Sequence, residues 1–242
     1  MANKEFEFPV NLDAVSGREF VPPTSGDPRR DKWIQWLSAI DKDLTSLAIN
    51  RMVWHAFTTV WRERKSPLPP SFLFAAIGNQ YATTQAVGIR RQADRRRDVA
   101  SLEALLRELV SHPQLVSRQF FVGRYEWGNQ WLGDRQFSSL DPRGQGHLDP
   151  AIPAADQSEL RKAATTATQW VDKHIAHLSV KPSTKVPTYS EIDQALEVMS
   201  RLFRRWTALL TGVDRDTEPA PQYDWLAPLR VPWIVDPRIP PK

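Results

Sequence analysis

Two histidines three residues apart, His174 and His177, are the residues whose types and spacing best suit chemistry in this chain. At about 100° per helical residue they extend an apolar stripe, so both rings are expected to face a packed surface. Imidazole is the side chain whose unperturbed pKa suits proton transfer near neutrality. Catalysis and a hydrogen-bonded structural role are both open for this pair. The stripe that they extend consists of Leu160, Ala163, Ala167 and Trp170.

A cluster of five arginines within eight positions is the second chemical feature, and Asp94 is the only acidic residue within it. The formal net charge of the chain is only +4, so this local cluster matters more than the overall charge. Such a run forms either a solvated face or a phosphate-binding surface. The arginines are Arg90, Arg91, Arg95, Arg96 and Arg97.

Arg91 is expected to face the interior of a helical bundle, because it continues the inner row of a predicted helix. A guanidinium in that position needs a carboxylate, such as Asp94 or Asp172, or a bound phosphate. The row that it continues is Phe74, Ile77, Tyr81, Thr84 and Gly88.

Metal and cofactor sites are not predicted. The chain has no cysteine, which excludes disulfides, thiolate zinc sites and iron–sulfur clusters. His174 and His177 could share an ion, but the nearest further ligand, Asp172, points to another side of the helix. No P-loop or Rossmann glycine pattern occurs either.

Composition indicates a globular protein of 242 residues, of which 41% are hydrophobic and 25% are charged. No apolar run is long enough to span a bilayer, and the first residues lack the apolar core of a signal peptide. We therefore expect a cytoplasmic protein without a membrane partner.

The helices that must position these residues follow from apolar spacing, and no strand pattern is found, so the predicted fold is an all-α antiparallel bundle. We expect an extended N-terminal arm over residues 1–30, the bundle over 31–212, and a tail over 213–242 that wraps the bundle. The tail contains seven prolines together with Trp225 and Trp233.

Capping residues give the expected helix boundaries. The first helix runs from Asp31 to just before Ser66, Ser71 caps the second and Asp98 the third. Residues 114–132 are expected to be mostly helical and 133–155 a loop. Asp156 with Glu159, and Thr188 with Glu191, resemble capping boxes that open the last two helices, the first of which ends near Leu178 and the second before Gly212.

The segments Tyr81 to Leu102 and Asp172 to His177 together resemble the HEPN superfamily, specifically its abortive-infection AbiU-like branch. The first segment contains Arg90-Arg91-Gln-Ala-Asp94 and Asp98-Val-Ala-Ser101-Leu102, and the second contains Asp172-Lys173-His174-Ile175-Ala176-His177. The resemblance covers residues 31 to 212. It implies an antiparallel helical bundle that forms a homodimer in which two motif-bearing helices face each other.

Active members of this superfamily carry an arginine and a histidine, four to six residues apart, in a metal-independent ribonuclease site. By this resemblance His177 takes the histidine role and Lys173 that of a companion lysine. The chain departs from the pattern because Val171 and Asp172 stand six and five residues before His177, where an arginine is expected.

Two hypotheses follow. In the first, the chain is a metal-independent ribonuclease of a phage-defence or toxin–antitoxin system, with RNA as substrate and an antitoxin protein as partner. His177 and His174 then transfer protons, Lys173 and Arg91 stabilise the phosphorane, and Arg90 and Arg95 to Arg97 bind RNA. In the second, the chain is a catalytically inactive HEPN-like dimer that binds RNA or protein, and Asp94, Asp172, Lys173 and the histidines connect helices.

Overall fold

α-Helices form the regular structure of the residues described in a computed structural model of the chain, which are 26–62, 72–96, 98–176, 185–219 and 224–227. Apart from one isolated β-bridge between Ser117 and His147, these residues contain no strand. The all-α prediction is therefore confirmed. The helices are α1 (Pro28–Arg62), α2 (Phe72–Gln92), α3 (Leu102–Ser111), α4 (Arg118–Val122), α5 (Gln130–Leu140), α6 (Ala151–Trp170) and α7 (Tyr189–Thr211).

α7 has the bounds that the sequence predicts, whereas α1 starts at Pro28, three residues before the predicted Asp31, because Asp27 accepts hydrogen bonds from the amides of Arg29 and Arg30. α1 buries Trp33, Leu37, Ile40, Leu44 and Leu47 at alternating spacings of four and three residues, as a helix packed on one side requires.

α7 begins with a complete capping box between Thr188 and Glu191 and ends at Gly212. Gly212 has a φ of 75°, a left-handed conformation that glycine adopts without steric cost. Both ends of this helix are therefore fixed by local side-chain and backbone chemistry, as its sequence predicts.

The core lies among α1, α2, α3, α6 and α7, because α6 packs against α2, α3 and α7 while α1 packs against α2 and α7. Two buried carboxylates connect these helices. Glu103 on α3 pairs with Arg161 on α6, and Asp156 on α6 accepts a hydrogen bond of 2.9 Å from Nε1 of Trp206 on α7. α6 therefore contacts three other helices, α2, α3 and α7, and these contacts fix the position of its C-terminal end.

The predicted starts of α3 and α6 are also wrong, because another residue caps α3 and tertiary packing buries Asp156. Ser101, not Asp98, caps α3, since its side chain accepts a hydrogen bond from the Ala104 amide. Asp156 does not open α6, which starts at Ala151. The buried carboxylate of Asp156 accepts hydrogen bonds from Trp206 and Arg205 instead.

The expected loop over residues 133–155 is also wrong in part, because α5 covers Gln130–Leu140 and buries Phe137. Of the predicted helix over residues 114–132, α4 contributes five residues, a 3₁₀ turn covers Pro113–Leu115, and α5 starts only at Gln130. Gly128, with a φ of 100°, lies in the break between α4 and α5.

The first residues after α7 pack onto the bundle. Arg215 donates two hydrogen bonds of 2.9 Å to the carboxylate of Asp41 on α1, and Thr217 bonds to Ser200 on α7. Trp225 is described, whereas Trp233, most of the predicted wrapping tail, and residues 1–25 of the predicted arm lie outside the described residues. No helix among the described residues has the length and apolar character needed to cross a membrane.

Candidate functional site

The C-terminal end of α2 turns a glutamine, not an arginine, toward the core. The buried row of α2 is Gly78, Tyr81, Gln85, Gly88 with Ile89, and Gln92. The predicted inner row is therefore right at Tyr81 and Gly88 and wrong at Thr84 and Arg91, which are exposed. Gln92 donates a 2.5 Å hydrogen bond to Asp43 on α1 and accepts one of 3.2 Å from the amide of Leu102. This glutamine fixes the end of α2 against the start of α3.

Arg91 is therefore exposed, and the prediction that it faces the interior was wrong. Its guanidinium donates two hydrogen bonds to the carboxylate of Asp43, and the one from Nε measures 3.1 Å. Its partner is neither Asp94 nor Asp172. The side chain of Arg91 is 58% exposed, which leaves part of the guanidinium open to solvent.

Arg90 takes the partners that the sequence suggested for Arg91. Nε of Arg90 lies 2.5 Å from Oδ1 of Asp172, and Nη1 lies 3.9 Å from Oδ2 of Asp94. The pair with Asp172 joins the end of α2 to the segment that follows α6. Asp94 and Asp172 therefore both lie beside the arginine cluster in the folded chain.

Arg95 and Arg96 lie in an exposed segment after α2. Arg96 lies 3.6 Å from Asp94 and 3.7 Å from Asp98, and Arg95 is exposed. Arg107 on α3 donates hydrogen bonds to the backbone carbonyls of Arg95 and Arg96 at 2.6 and 3.1 Å, which fixes the segment. Arg97 lies outside the described residues.

α6 ends in a π-helical turn, Val171–Ile175, that brings the second sequence segment to the first. The amide of Ala176 donates to the carbonyl of Val171 at 2.8 Å, the i to i−5 bond of a π-helix. Val171 is 3% exposed and belongs to the core. The position six residues before His177 is therefore a buried apolar one, which explains why it holds no arginine.

The histidine stripe differs from the predicted one. The buried row of α6 is Leu160, Ala164, Ala167 and Val171, so Trp170 lies at the edge of the core and is only half-buried. The ring of His174 is half-buried and tilted against Trp170, with the ring centroids 6.5 Å apart. Residues two apart on a helix do not share a face, so His174 and Asp172 point to different sides.

Lys173 is exposed, and His177 lies outside the described residues. Among the described members of the predicted catalytic group, His174 packs on Trp170 and Arg91 binds Asp43. Because His177 lies outside the described residues, the group of His177, His174, Lys173 and Arg91 stays a prediction.

Two clefts lie on either side of Arg90. The larger, here called the arginine cleft, has a volume of about 540 Å³ and is lined by Arg90, Arg91, Arg96, Val171, Ile175 and Ala176, among others. The smaller, the threonine cleft, measures about 380 Å³ and includes Arg90, Arg95, Arg161, Thr165 and Thr168. Guanidinium and hydroxyl donors around an open cleft are suited to contacts with phosphate oxygens.

A histidine–carboxylate pair that the sequence analysis missed joins α1 and α7. Nε2 of His55 lies 3.2 Å from Oδ2 of Asp193, which also contacts Arg51 at 3.1 Å and Tyr81 at 3.4 Å. Burial, together with the negative charge of Asp193, raises the pKa of Tyr81 above its ordinary value.

The spacing of Arg51 and His55 on one helix face could have revealed half of this cluster, but Asp193 is remote in sequence. Glu197 also binds Arg51, at 2.6 Å, so two carboxylates surround one arginine. Because two carboxylates already neutralise Arg51, this cluster is better suited to joining helices than to binding phosphate.

Within the ranges that the structure describes, no group of three histidine, aspartate or glutamate side chains is placed to hold a metal ion. The chain matches no protein-family model, no curated protein and no solved structure.

Proposed function

We propose that this chain is a HEPN-like helical module that binds RNA at the arginine cleft. The observation that carries the proposal is the convergence of two segments remote in sequence. The end of α2 contributes Arg90, Arg91 and Arg96, and the π-helical turn after α6 contributes Val171, Ile175 and Ala176 to the same cleft. An ion pair between Arg90 and Asp172 connects the two segments.

RNA suits this cleft because its phosphates accept the paired donors of guanidinium groups. The arginines are at present bound to Asp43, Asp94, Asp98 and Asp172, yet the arginine side chains remain 39% to 67% exposed. Exposed ion pairs contribute only about 0–1 kcal/mol each. Phosphate oxygens can therefore compete for these guanidinium groups without unfolding the bundle.

Two observations favour binding without catalysis. Val171 is buried where the active members of the superfamily carry an arginine. His174 packs against Trp170, on a different side of the turn from the Arg90 contact of Asp172.

A metal-independent ribonuclease is the second candidate, and one observation favours it. Ala176, which lines the arginine cleft, directly precedes His177 in the sequence. In this proposal His177 removes the proton of a ribose 2′-hydroxyl, whose oxygen attacks the neighbouring phosphorus. The bond from phosphorus to the 5′-oxygen then breaks, and a second histidine protonates the leaving oxygen.

The products of that reaction are a 2′,3′-cyclic phosphate and a 5′-hydroxyl. Arg90, Arg91 and Arg96 would replace the missing motif arginine as the cations that stabilise the phosphorane. The second His177 would come from the partner in a symmetric homodimer, which presents each motif twice. In both candidates the setting proposed from the resemblance is a cytoplasmic phage-defence or toxin–antitoxin system with an antitoxin partner.

Binding is tested with a fluorescent single-stranded RNA in EDTA, titrated with the full chain at several salt concentrations. We expect the affinity to fall as salt rises, and Arg90→Gln together with Arg96→Gln to weaken binding and reduce the salt slope. Arg201→Gln is the matched control, because Arg201 is 52% exposed and paired with a single carboxylate, Glu159, away from the cleft. Equal binding by the cleft variant and the control would overturn the proposal.

Cleavage is tested in the same mixtures by gel electrophoresis. Intact RNA with tight binding supports the binding module, whereas cleavage that His177→Ala abolishes and His174→Ala preserves supports the ribonuclease. Cleavage that survives both variants would exclude His177 as the base.

A further inference from the structure

Arg124 is a half-buried arginine that has no carboxylate partner among the described residues. It lies two residues after the end of α4, and its guanidinium lies over the rings of Phe120 and Phe121, 4.7 and 5.0 Å from their centroids. Its Nε and Nη1 atoms are buried without a hydrogen-bond partner, and no carboxylate of the described residues lies within 4 Å of the group. By contrast, Arg161, Arg205 and Arg215 each bind a buried carboxylate.

Burial makes this unpaired charge costly. It lowers the pKa of the Arg124 guanidinium to about 10, and the nearby positive charge of Arg30 acts in the same direction. Both guanidinium groups contact the single ring of Phe120. A buried cation without a partner is destabilising unless an anion is supplied. The position therefore favours a negatively charged ligand.

A pocket of about 650 Å³ lies beside Arg124, between the α4–α5 segment and α7. This volume is within the usual range for a small-molecule site. Its apolar wall includes Phe121, Leu132, Leu140, Ala208 and Leu209, and its polar groups include Tyr125, Asn129, Gln136 and Ser139.

The other charges around the pocket limit the ligand to a single negative charge. Arg205 is already bound to Asp156, and Asp214 to Arg204. Glu126, at the exposed edge, adds a further negative charge. One unpaired cation beside two acidic side chains favours a monoanion over a phosphate dianion.

We propose that this pocket binds a small organic monocarboxylate with an apolar body. The carboxylate would bind the Arg124 guanidinium, and the body would pack on the wall of Leu132, Leu140 and Leu209. The ligand would bridge the α4–α5 segment and α7. This site is separate from the arginine cleft and does not depend on the proposed function.

Calorimetric titration of the full chain with 2-naphthylacetate, and with 2-naphthylacetamide as its neutral match, tests the proposal. We expect the carboxylate to bind at least about tenfold more tightly than the amide, as a charge-assisted pair predicts. Arg124→Gln is expected to remove that preference. Arg135→Gln, which changes an exposed arginine of the neighbouring helix, is expected to keep it.

A second variant keeps the test decisive if Arg124→Gln does not fold. Leu132 is 36% exposed and lines the pocket, so Leu132→Trp should fill the pocket while Arg124 stays in place. We expect this variant to weaken carboxylate binding at least about tenfold, with an unchanged circular dichroism spectrum. No binding to the natural chain, equal binding of acid and amide, or unchanged binding by both variants would overturn the proposal.

Discussion

Glu103 and Arg161 form a two-point salt bridge between α3 and α6 in which the carboxylate is completely buried. Nη2 and Nε of Arg161 lie 2.5 and 3.1 Å from Oε1 of Glu103, and Gln157 donates to the same oxygen at 3.0 Å. Arg161 also lines the threonine cleft, so this bridge connects the core to the wall of the candidate site.

Removal of the Glu103 carboxylate should be strongly destabilising. Glu103→Ala leaves Arg161 and Gln157 without their acceptor and opens a cavity, and we expect a loss of about 3–5 kcal/mol in the free energy of unfolding. Urea denaturation measures this loss. Glu159→Ala is the control, because its pair with Arg201 is about half exposed and should contribute under about 1 kcal/mol. Equal losses in the two variants would show that burial does not set the strength of these pairs.

Asp172 should act as a competitor for the Arg90 guanidinium if that group binds phosphate. Asp172→Asn removes the negative charge 2.5 Å from Arg90, so we expect RNA affinity to rise roughly fivefold, equivalent to about 1 kcal/mol. Fluorescence anisotropy at fixed salt measures the change. Asp134→Asn, which breaks the Arg118 pair at a distance from the cleft, should leave affinity unchanged. Weaker binding by Asp172→Asn would mean that the ion pair orders the site.

An arginine introduced at position 171 should not restore a catalytic cation. Val171 is 3% exposed, and Val171→Arg would bury a charge in the core, so we expect a loss of several kcal/mol in stability. Thermal denaturation measures the loss, with Lys173→Arg as the exposed control on the same turn. A stable Val171→Arg variant with new ribonuclease activity would show that the turn can present this position to the cleft.

The capping box of α7 should contribute a pH-dependent part of stability. Hydrogen bonds from Lys185 and from the Thr188 backbone lower the pKa of Glu191 from 4.5 to about 2. Because the folded pKa lies below the unfolded one, the stabilisation is present above pH 4.5 and is lost as pH falls toward 2.

Glu191→Gln should therefore be less stable than the natural chain at pH 7, by about 0.5–1 kcal/mol, and the difference should decrease as pH falls from 4.5 toward 2. Urea denaturation at several pH values measures both curves. Glu218→Gln, an exposed change outside the capping box, should follow the natural chain throughout. A difference that stays constant from pH 5 to pH 2 would exclude the ionised carboxylate as its source.

Local patterns predicted the all-α class and both ends of α7, because those ends depend on residues close to each other in sequence. The Thr188 and Glu191 box is such a case. Asp156 and Glu159 have the same spacing as Thr188 and Glu191. The carboxylate of Asp156 is nevertheless buried and accepts a hydrogen bond from Trp206, fifty positions away. Tertiary packing decides whether such a carboxylate caps a helix or forms a buried hydrogen bond. The spacing of residues in the sequence carries no information about that packing.

The candidate site was predicted in part. The sequence singled out the arginine cluster and the segment from Asp172 to His177, and the structure places Arg90 and Asp172 in contact. The residue assignments failed by one position, because Gln92 takes the inward place expected for Arg91 and satisfies two polar partners there. A polar residue that completes a buried hydrogen-bond network is hard to distinguish from a surface residue by hydrophobic periodicity.

The π-helical turn at Val171–Ile175 holds one residue more than an ordinary helical turn would need. Shortening the chain by a single residue there, for example by deleting Lys173, would let α6 continue as a regular α-helix through Ala176. The direction in which the backbone leaves α6 would then rotate by about 100° around the helix axis. Ala176 would no longer line the cleft that it shares with Arg90. The position of the cleft wall formed by Val171, Ile175 and Ala176 therefore depends on one extra residue in this turn. A substitution keeps the number of residues unchanged, so only a deletion tests this dependence.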